Sequence, residues 1–167
     1  MSKPQLVIFS GLPGVGKTTL ARRLAAELKA VYLRADTIET ALNQGGIADI
    51  GGLGYEVGYL IAKENLQLGN IVVADSVNPW PLTRKAWRRA AQDAGRVFID
   101  VEVVCSDLHE HRRRVEERQS DIPGFKSLTW QEVLDRDYHP WTEPRVQVDT
   151  AMLGIEEALD KLAEHFR

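Results

Sequence analysis

The sequence has little cysteine, no long apolar run and no excess of basic residues. Its 167 residues include a single cysteine, Cys105, so no disulfide can form within the chain. No apolar run approaches the roughly 20 residues of a membrane-spanning helix, so we expect no membrane contact. Acidic residues outnumber basic ones by 24 to 21, giving a net charge of −3. This balance disfavours an extended nucleic acid partner and leaves a short one open.

The length and composition are typical of one globular domain. Hydrophobic residues make up 44% of the chain and charged residues 27%, both ordinary values for a soluble protein. The residues before position 6 lead directly into an apolar run and contain no signal-peptide segment. We therefore expect a single domain over 1–167, located in the cytoplasm, as a monomer or homodimer.

The stretch 6–28 predicts a strand, a glycine-rich loop and an amphipathic helix. Apolar residues run continuously over 6–9 and recur at helical spacing over 20–28. Between them, residues 11–18 read GLPGVGKT, which fits the pattern G-x-x-x-x-G-K-[ST] of a phosphate-binding loop. The alternative, a glycine-rich turn before an ordinary helix, is disfavoured because both flanking elements are the ones the motif requires.

Each fixed position of this loop has a physical task in holding a nucleoside triphosphate. The glycines allow the backbone N–H groups to turn towards the phosphates. Lys17 is expected to reach the β- and γ-phosphates, and the Thr18 hydroxyl to bind Mg²⁺. The predicted nucleotide-binding residues are Gly11, Pro13, Gly14, Val15, Gly16, Lys17, Thr18 and Thr19.

Four further apolar segments, each separated from the next by helical patterns, predict an α/β fold. The predicted strands are 31–33, 71–75, 97–105 and 146–149. Their alternation with helices predicts a five-stranded parallel sheet covered on both faces. We expect helices over 37–42, with Thr37 as cap, and over 55–68, with Leu60 and Leu68 among its packing residues. The glycine-rich segment 45–54 between them is either a plain connector or a substrate-gating loop.

Two strand ends carry a carboxylate, and ligands of such sheets bind where the strands end. Asp75 follows an apolar strand and is a candidate Mg²⁺ contact, although aspartate also forms turns and caps in this position. Asp36 ends the second strand, where it could take the proton from an attacking hydroxyl. The competing interpretation is that Asp36 only caps the following helix.

An arginine-rich helix follows the fourth strand and, with the loop after it, forms the predicted lid over about 107–128. Arg114 and Arg118 are four residues apart and share one face, where they could neutralise charge on a transferring phosphoryl group. Arg112 and Arg113 fit better as solvated residues paired with neighbouring glutamates.

The segment after Asp75 offers candidates for contacts with a phosphate acceptor. These are Asn78, Trp80 and Arg84, with Tyr55 as a fourth. Trp80 could stack on a substrate or pack on its own helix. Arginine and lysine at 84, 85, 88 and 89 form either an anion-binding stripe or, as we favour, a solvated helix face.

Together these motifs resemble the P-loop kinases grouped around the polynucleotide 5′-hydroxyl kinase domain. The group includes chloramphenicol phosphotransferase, zeta-toxin-like kinases and small AAA-type kinases. The resemblance is carried by 11–18, 34–36, 75–78 with Arg84, and 114–118. It implies a three-layer nucleoside-kinase-like fold with a five-stranded parallel sheet and a small helical lid.

The resemblance also implies transfer of the γ-phosphoryl group of ATP to a hydroxyl, with ATP and Mg²⁺ as cofactors. Asp36 would be the general base, Asp75 the acidic residue of the third strand, and Arg114 and Arg118 the lid cations. The expected partner is a small-molecule hydroxyl acceptor. One alternative is a 5′-hydroxyl polynucleotide kinase, and another is a nucleotide-binding regulatory ATPase without an acceptor.

Overall fold

The computed structural model describes residues 3–166 and shows a parallel sheet in the order β2-β3-β1-β4-β5. Every pairing between neighbouring strands is parallel. The strands are β1 (Leu6–Ser10), β2 (Val31–Arg34), β3 (Val72–Asp75), β4 (Phe98–Val104) and β5 (Val146–Asp149). The helices are α1 (Lys17–Leu28), α2 (Ala35–Gln44), α3 (Leu53–Gln67), α4 (Pro81–Asp93), α5 (Leu108–Glu117), α6 (Trp130–Leu134) and α7 (Ile155–Ala163), followed by a 3₁₀ turn (Glu164–Phe166).

Strand β1 lies at the centre of the sheet, and all five of its residues are buried. Its side chains alternate between two apolar cores, because successive residues of a strand point to opposite faces. Val7 and Phe9 pack in the core under α1 and α7, whereas Leu6 and Ile8 pack in the core under α3 and α4. The three-layer α/β fold with a five-stranded parallel sheet is therefore confirmed. No described helix is long and apolar enough to cross a membrane.

Helix α2 begins earlier than the sequence predicts. It starts at Ala35, directly after β2, so Asp36 lies in its first turn and the prediction of Thr37 as cap is wrong. The strand and the helix share a junction with no intervening loop, and the pattern of apolar residues gave no sign of this. As a result the backbone of Asp36 is held in the first turn of α2, directly after the end of β2.

The packing face of helix α3 differs from the predicted one. Leu60 and Leu68 are 65% and 80% exposed, whereas Gly58 and Tyr59 contact Trp87 on α4. At Gly58 an added Cβ would lie 2.9 Å from the ring of Trp87. The helices approach so closely that a glycine, rather than a leucine, occupies the contact. The predicted packing face is therefore wrong at Leu60 and Leu68, although Ala62 of that face is buried.

The predicted lid segment, 107–128, contains α5 and the loop after it. The helix has the expected cap, because the Asp107 carboxylate accepts hydrogen bonds from the backbone N–H groups of His109 and Glu110 at 2.9 and 3.1 Å. The loop contacts the body at α2, where the Gln44 side chain donates to the carbonyl of Pro123 at 3.0 Å. The segment thus covers the carboxyl end of the sheet.

Candidate active site

The glycine-rich loop joins β1 to α1 at the carboxyl end of the sheet. Gly14 and Gly16 have φ angles of 84° and 95°, which residues with a Cβ atom rarely adopt. Gly14 also has no room for a side chain, since an added Cβ would lie 2.4 Å from Cγ2 of Val115 on α5. Helix α1 begins at Lys17, so its unpaired N–H groups and positive dipole end face the same space.

The lysine of this loop lies next to the acidic residue that ends β3. The Lys17 Nζ atom is 3.6 Å from Oδ1 of Asp75, and both side chains are buried. The other oxygen of Asp75 accepts a hydrogen bond of 2.6 Å from the Tyr32 hydroxyl. Burial, with a further contribution from the Asp75 carboxylate, raises the pKa of Tyr32, so this hydroxyl stays a donor at neutral pH.

Two cavities meet at Lys17. The larger one, called here the large cleft, has a volume of about 790 Å³ and lies over the start of α1, where Thr18 and Thr19 line it. The smaller one, called the small cavity, has a volume of about 290 Å³ and is lined by Asp36. Lys17 and Arg118 line both. A group bound by Lys17 in the large cleft therefore faces the contents of the small cavity.

The two predicted lid cations occupy different positions. Arg114 donates from Nη1 to the Thr150 hydroxyl at 2.8 Å and from Nη2 to the Thr150 carbonyl at 3.2 Å. The same hydroxyl donates to the carbonyl of Val15 at 2.6 Å, which connects Arg114 to the phosphate-binding loop. Arg118 lies between the cavities, with its guanidinium 5.8 Å from the ring centre of Phe125.

Arg34, the last residue of β2, lies beside these groups, although the sequence motifs predict no role for it. Its Nη1 donates to Oδ1 of Asp121 at 2.9 Å, and Arg22 donates to the other oxygen of that carboxylate at 2.8 Å. The hydrogen bond from Arg34 holds the pKa of Asp121 below its usual value. A basic residue at the end of a strand was the available signal.

The four residues predicted to contact an acceptor line neither cavity. The Asn78 N–H donates to the Tyr55 hydroxyl at 2.9 Å, and the Asn78 side chain donates to Ser10 at 2.9 Å in a buried position. Trp80 is 44% exposed and its ring nitrogen donates to Asp137 at 2.9 Å. Contact of these residues with an acceptor stays a prediction.

The remaining acceptor candidate, Arg84, is completely buried, and most of Arg88 on the same helix is buried too. Arg84 donates to four backbone carbonyls, and its guanidinium lies 4.1 Å from the ring centre of Trp141. Arg88 pairs with Asp100 at 2.7 Å and Glu143 at 3.3 Å. The interpretation of these arginines as a solvated face is wrong, because the segment before β5 folds over them. Lys85 and Arg89 of the same set are exposed, as a solvated face requires.

The described residues offer an oxygen ligand set of the kind that Mg²⁺ prefers. Within residues 3–166 no group of three or more His, Cys, Asp or Glu side chains could enclose a metal ion. Thr18 lines the large cleft, and the Asp75 carboxylate, with one partner on each oxygen, retains free lone pairs. One hydroxyl and one carboxylate fit Mg²⁺, which usually keeps phosphate and water oxygens as its other ligands.

Comparisons with known proteins support this arrangement. The AAA domain family AAA_33 matches residues 6–136. An adenylyl-sulfate kinase of Picosynechococcus sp. is 28% identical, covering 93% of this chain and 89% of its own. Another from Synechococcus sp. is 26% identical, covering 96% and 93%. The APS kinase CysC of Mycobacterium tuberculosis, solved with AMPPNP and APS, has the same fold at a TM-score of 0.72, with 19% identity and 99% of both chains covered.

These similarities confirm the predicted fold and the predicted enzyme class, an ATP-dependent kinase. The wider resemblance to P-loop kinases is confirmed, whereas the matched relatives are adenylyl-sulfate kinases and do not single out the polynucleotide 5′-hydroxyl kinase group. The phosphate-binding loop is within the matched region, and so are Asp36, Asp75 and the helix of the lid segment. The chain therefore belongs to the AAA domain family AAA_33, a family of P-loop kinases.

Proposed function

We propose that this kinase transfers the γ-phosphoryl group of ATP to a hydroxyl of a small molecule, with Asp36 as the general base. The observation that carries the proposal is that Lys17 lines both cavities, while Asp36 lines only the small one. A kinase needs a donor site and an acceptor site that meet at the transferring group. The two cavities have this relation.

ATP is assigned to the large cleft, with its phosphates on the glycine-rich loop and the start of α1. Thr18 and Asp75 would hold Mg²⁺, which supplies charge neutralisation at the phosphate oxygens. Arg114 and Arg118 add positive charge, Arg118 from a position that borders both cavities. In this assignment the segment 107–128 acts as the lid of a single domain over 1–167.

The acceptor is assigned to the small cavity, where its hydroxyl would lie between Asp36 and the γ-phosphate. No side chain within residues 3–166 donates a hydrogen bond to the Asp36 carboxylate. The Thr40 hydroxyl donates to the backbone carbonyl of Asp36 instead. The carboxylate is thus available to accept the hydroxyl proton. The acceptor oxygen forms a bond to the γ-phosphorus, the bond from that phosphorus to the β-phosphate oxygen breaks, and ADP leaves.

Adenylyl sulfate is a second candidate acceptor, favoured by the relatives of similar length. The finer resemblance to the polynucleotide 5′-hydroxyl kinase group, and with it a nucleic acid acceptor, has weaker support because Arg84 and Arg88 point inward. A regulatory ATPase without an acceptor would leave the small cavity without a function.

A cytoplasmic location and a monomeric or homodimeric state belong to the proposal as expectations from the sequence.

The proposal is tested by an acceptor screen with γ-labelled ATP and Mg²⁺. The panel contains sugars, nucleosides, antibiotics, adenylyl sulfate and 5′-hydroxyl oligonucleotides. Replacing Asp36 by Asn should lower transfer about 10²- to 10⁴-fold, the usual contribution of a general base, with the Kd for ATP unchanged. Asp160→Asn, on the exposed face of α7, is the matched control.

The outcomes of this screen separate the candidate functions. Full transfer by Asp36→Asn would remove this residue as the base. Labelled inorganic phosphate with every acceptor, and no labelled organic product, would favour a regulatory ATPase. Labelled oligonucleotide would favour the polynucleotide alternative.

A further inference from the structure

One face of α2 consists entirely of polar residues, and all of it lines the small cavity. Its members recur at helical spacing, three or four residues apart, so they form one continuous stripe. They are Asp36, Glu39, Thr40, Asn43 and Gln44. Because this stripe lines the same cavity as Lys17 and supplies five of its lining residues, it is the surface that an acceptor would contact most extensively.

Two members of the stripe are occupied by contacts within the protein. The Thr40 hydroxyl donates to the Asp36 carbonyl at 2.7 Å, and the Gln44 side chain donates to the Pro123 carbonyl at 3.0 Å. Within residues 3–166 the side chains of Asp36, Glu39 and Asn43 make no hydrogen bond. Two carboxylates and one amide are therefore free to bind hydroxyl groups, which both donate and accept.

Glu39 is held in place by the start of α3. A Cβ added at Gly54 would lie 2.3 Å from Cγ of Glu39 and 2.9 Å from its Oε1. The glutamate side chain therefore lies directly on the backbone of α3. Burial raises the pKa of Glu39, Asp36 adds to this rise, and Arg136 opposes it. Glu39 is thus a positioned, partly desolvated carboxylate three residues after the proposed base.

The cations of the small cavity are arranged differently from its carboxylates. Lys17 and Arg118 border the large cleft as well and are assigned to the phosphates of ATP. The Lys126 side chain is 85% exposed and lies 3.7 Å from Glu132, and Arg136 is exposed. Exposed cations are screened by water, so they offer little to an anionic acceptor. An anion would instead meet the two half-buried carboxylates.

We propose that the acceptor is a compact polyhydroxylated molecule without an anionic group, and that Glu39 selects it by accepting a hydrogen bond from a second hydroxyl. This inference rests on the proposed function and specifies its acceptor. The volume of the small cavity, about 290 Å³, lies at the lower end of the range for small-molecule sites and suits a compact ligand. Adenylyl sulfate, with a nucleoside and two acidic groups, does not match the charge of this cavity.

The test uses pairs of acceptors that differ in an anionic group. These are glycerol and glycerate, glucose and gluconate, and adenosine and adenylyl sulfate, each assayed with γ-labelled ATP. The wild-type chain should prefer the neutral member of at least one pair by more than tenfold in kcat/KM. Glu39→Gln and Glu39→Ala should reduce this preference at least tenfold, through KM rather than kcat, because Asp36 remains. Glu27→Gln, on the exposed side of α1, is the matched control.

The results distinguish failure of this inference from failure of the proposed function. Preferred transfer to the anionic members would overturn the inference and leave the proposed function intact. So would a preference for neutral members that both Glu39 variants retain. If no member of any pair yields a labelled organic product, and ATP hydrolysis is the same with and without each acceptor, the result counts against the proposed function itself. Thermal unfolding of each variant checks that the KM changes occur in folded protein.

Discussion

Replacing Arg84 by Met should destabilise the protein strongly, because this arginine connects two segments from within the core. It is completely buried. Its guanidinium bridges the start of α4 to the segment before β5, and Trp141 lies against its face at 4.1 Å. Methionine fills a similar volume and forms none of these hydrogen bonds. The carbonyls that would lose their donor belong to Asn78, Pro79, His139 and Pro140.

The expected loss follows from these contacts. Each hydrogen bond from a charged donor contributes about 1.5–3 kcal/mol, whereas removing a buried charge recovers several kcal/mol of desolvation. With four such bonds, we expect a net loss of about 3–5 kcal/mol in the free energy of unfolding. For a domain of this size that corresponds to a fall in Tm of roughly 6–20 °C.

Urea unfolding followed by tryptophan fluorescence measures this loss. Arg89→Met is the matched control on the same helix, since Arg89 is exposed and makes one i,i+4 pair with Asp93; it should cost less than about 1 kcal/mol. Equal stability of the Arg84 and Arg89 variants would show that the buried hydrogen bonds of Arg84 do not stabilise the fold. If Arg84→Met were as stable as the wild-type chain and raised only the KM for an acceptor, Arg84 would be an acceptor-binding residue, as the sequence predicts.

Three further changes test the loop, the third strand and the lid. Gly14→Ala places a Cβ 2.4 Å from Val115 at a φ angle of 84°, so ATP affinity measured by calorimetry should fall at least tenfold. Tyr32→Phe removes the hydrogen bond to Asp75; because the pKa of Tyr32 is raised above its usual 10.0, the wild-type chain should lose stability above about pH 10, and the variant should lose less in urea titrations. Asp121→Asn weakens the pairing with two arginines, so trypsin should cleave within 118–128 faster, and unchanged cleavage would contradict this.

The sheet and the phosphate-binding loop could be predicted from sequence because their signals are local. The apolar runs in β1 and β3 reflect burial on both faces of the sheet, which is usual for parallel sheets because helices cover both sides. The loop pattern fixes its own conformation through glycine. Asp36 and Asp75 followed from the rule that strand ends meet at one edge of the sheet, and this rule needs only the strand positions.

The rest of the site depends on contacts between distant segments. Arg88 resembles a solvated residue in the sequence, and only the folded segment around Glu143 shows that it points inward. Glu39 gave no signal because its importance comes from packing against Gly54 and from lining the cavity. Arg34 acquires its partner, Asp121, from 87 residues further along the chain. Such contacts are absent from local patterns of hydrophobicity and charge.

The partition of the γ-phosphoryl group between acceptor and water shows whether Asp36 is the base of a phosphoryl transfer. With γ-labelled ATP and a hydroxyl acceptor found in the screen, we expect one labelled organic product for each ADP formed. In Asp36→Asn the rate of that transfer should fall about 10²- to 10⁴-fold while the Kd for ATP stays within about twofold of the wild-type value. Transfer at the wild-type rate by this variant would contradict the account, as would ADP formation that never yields a labelled organic product.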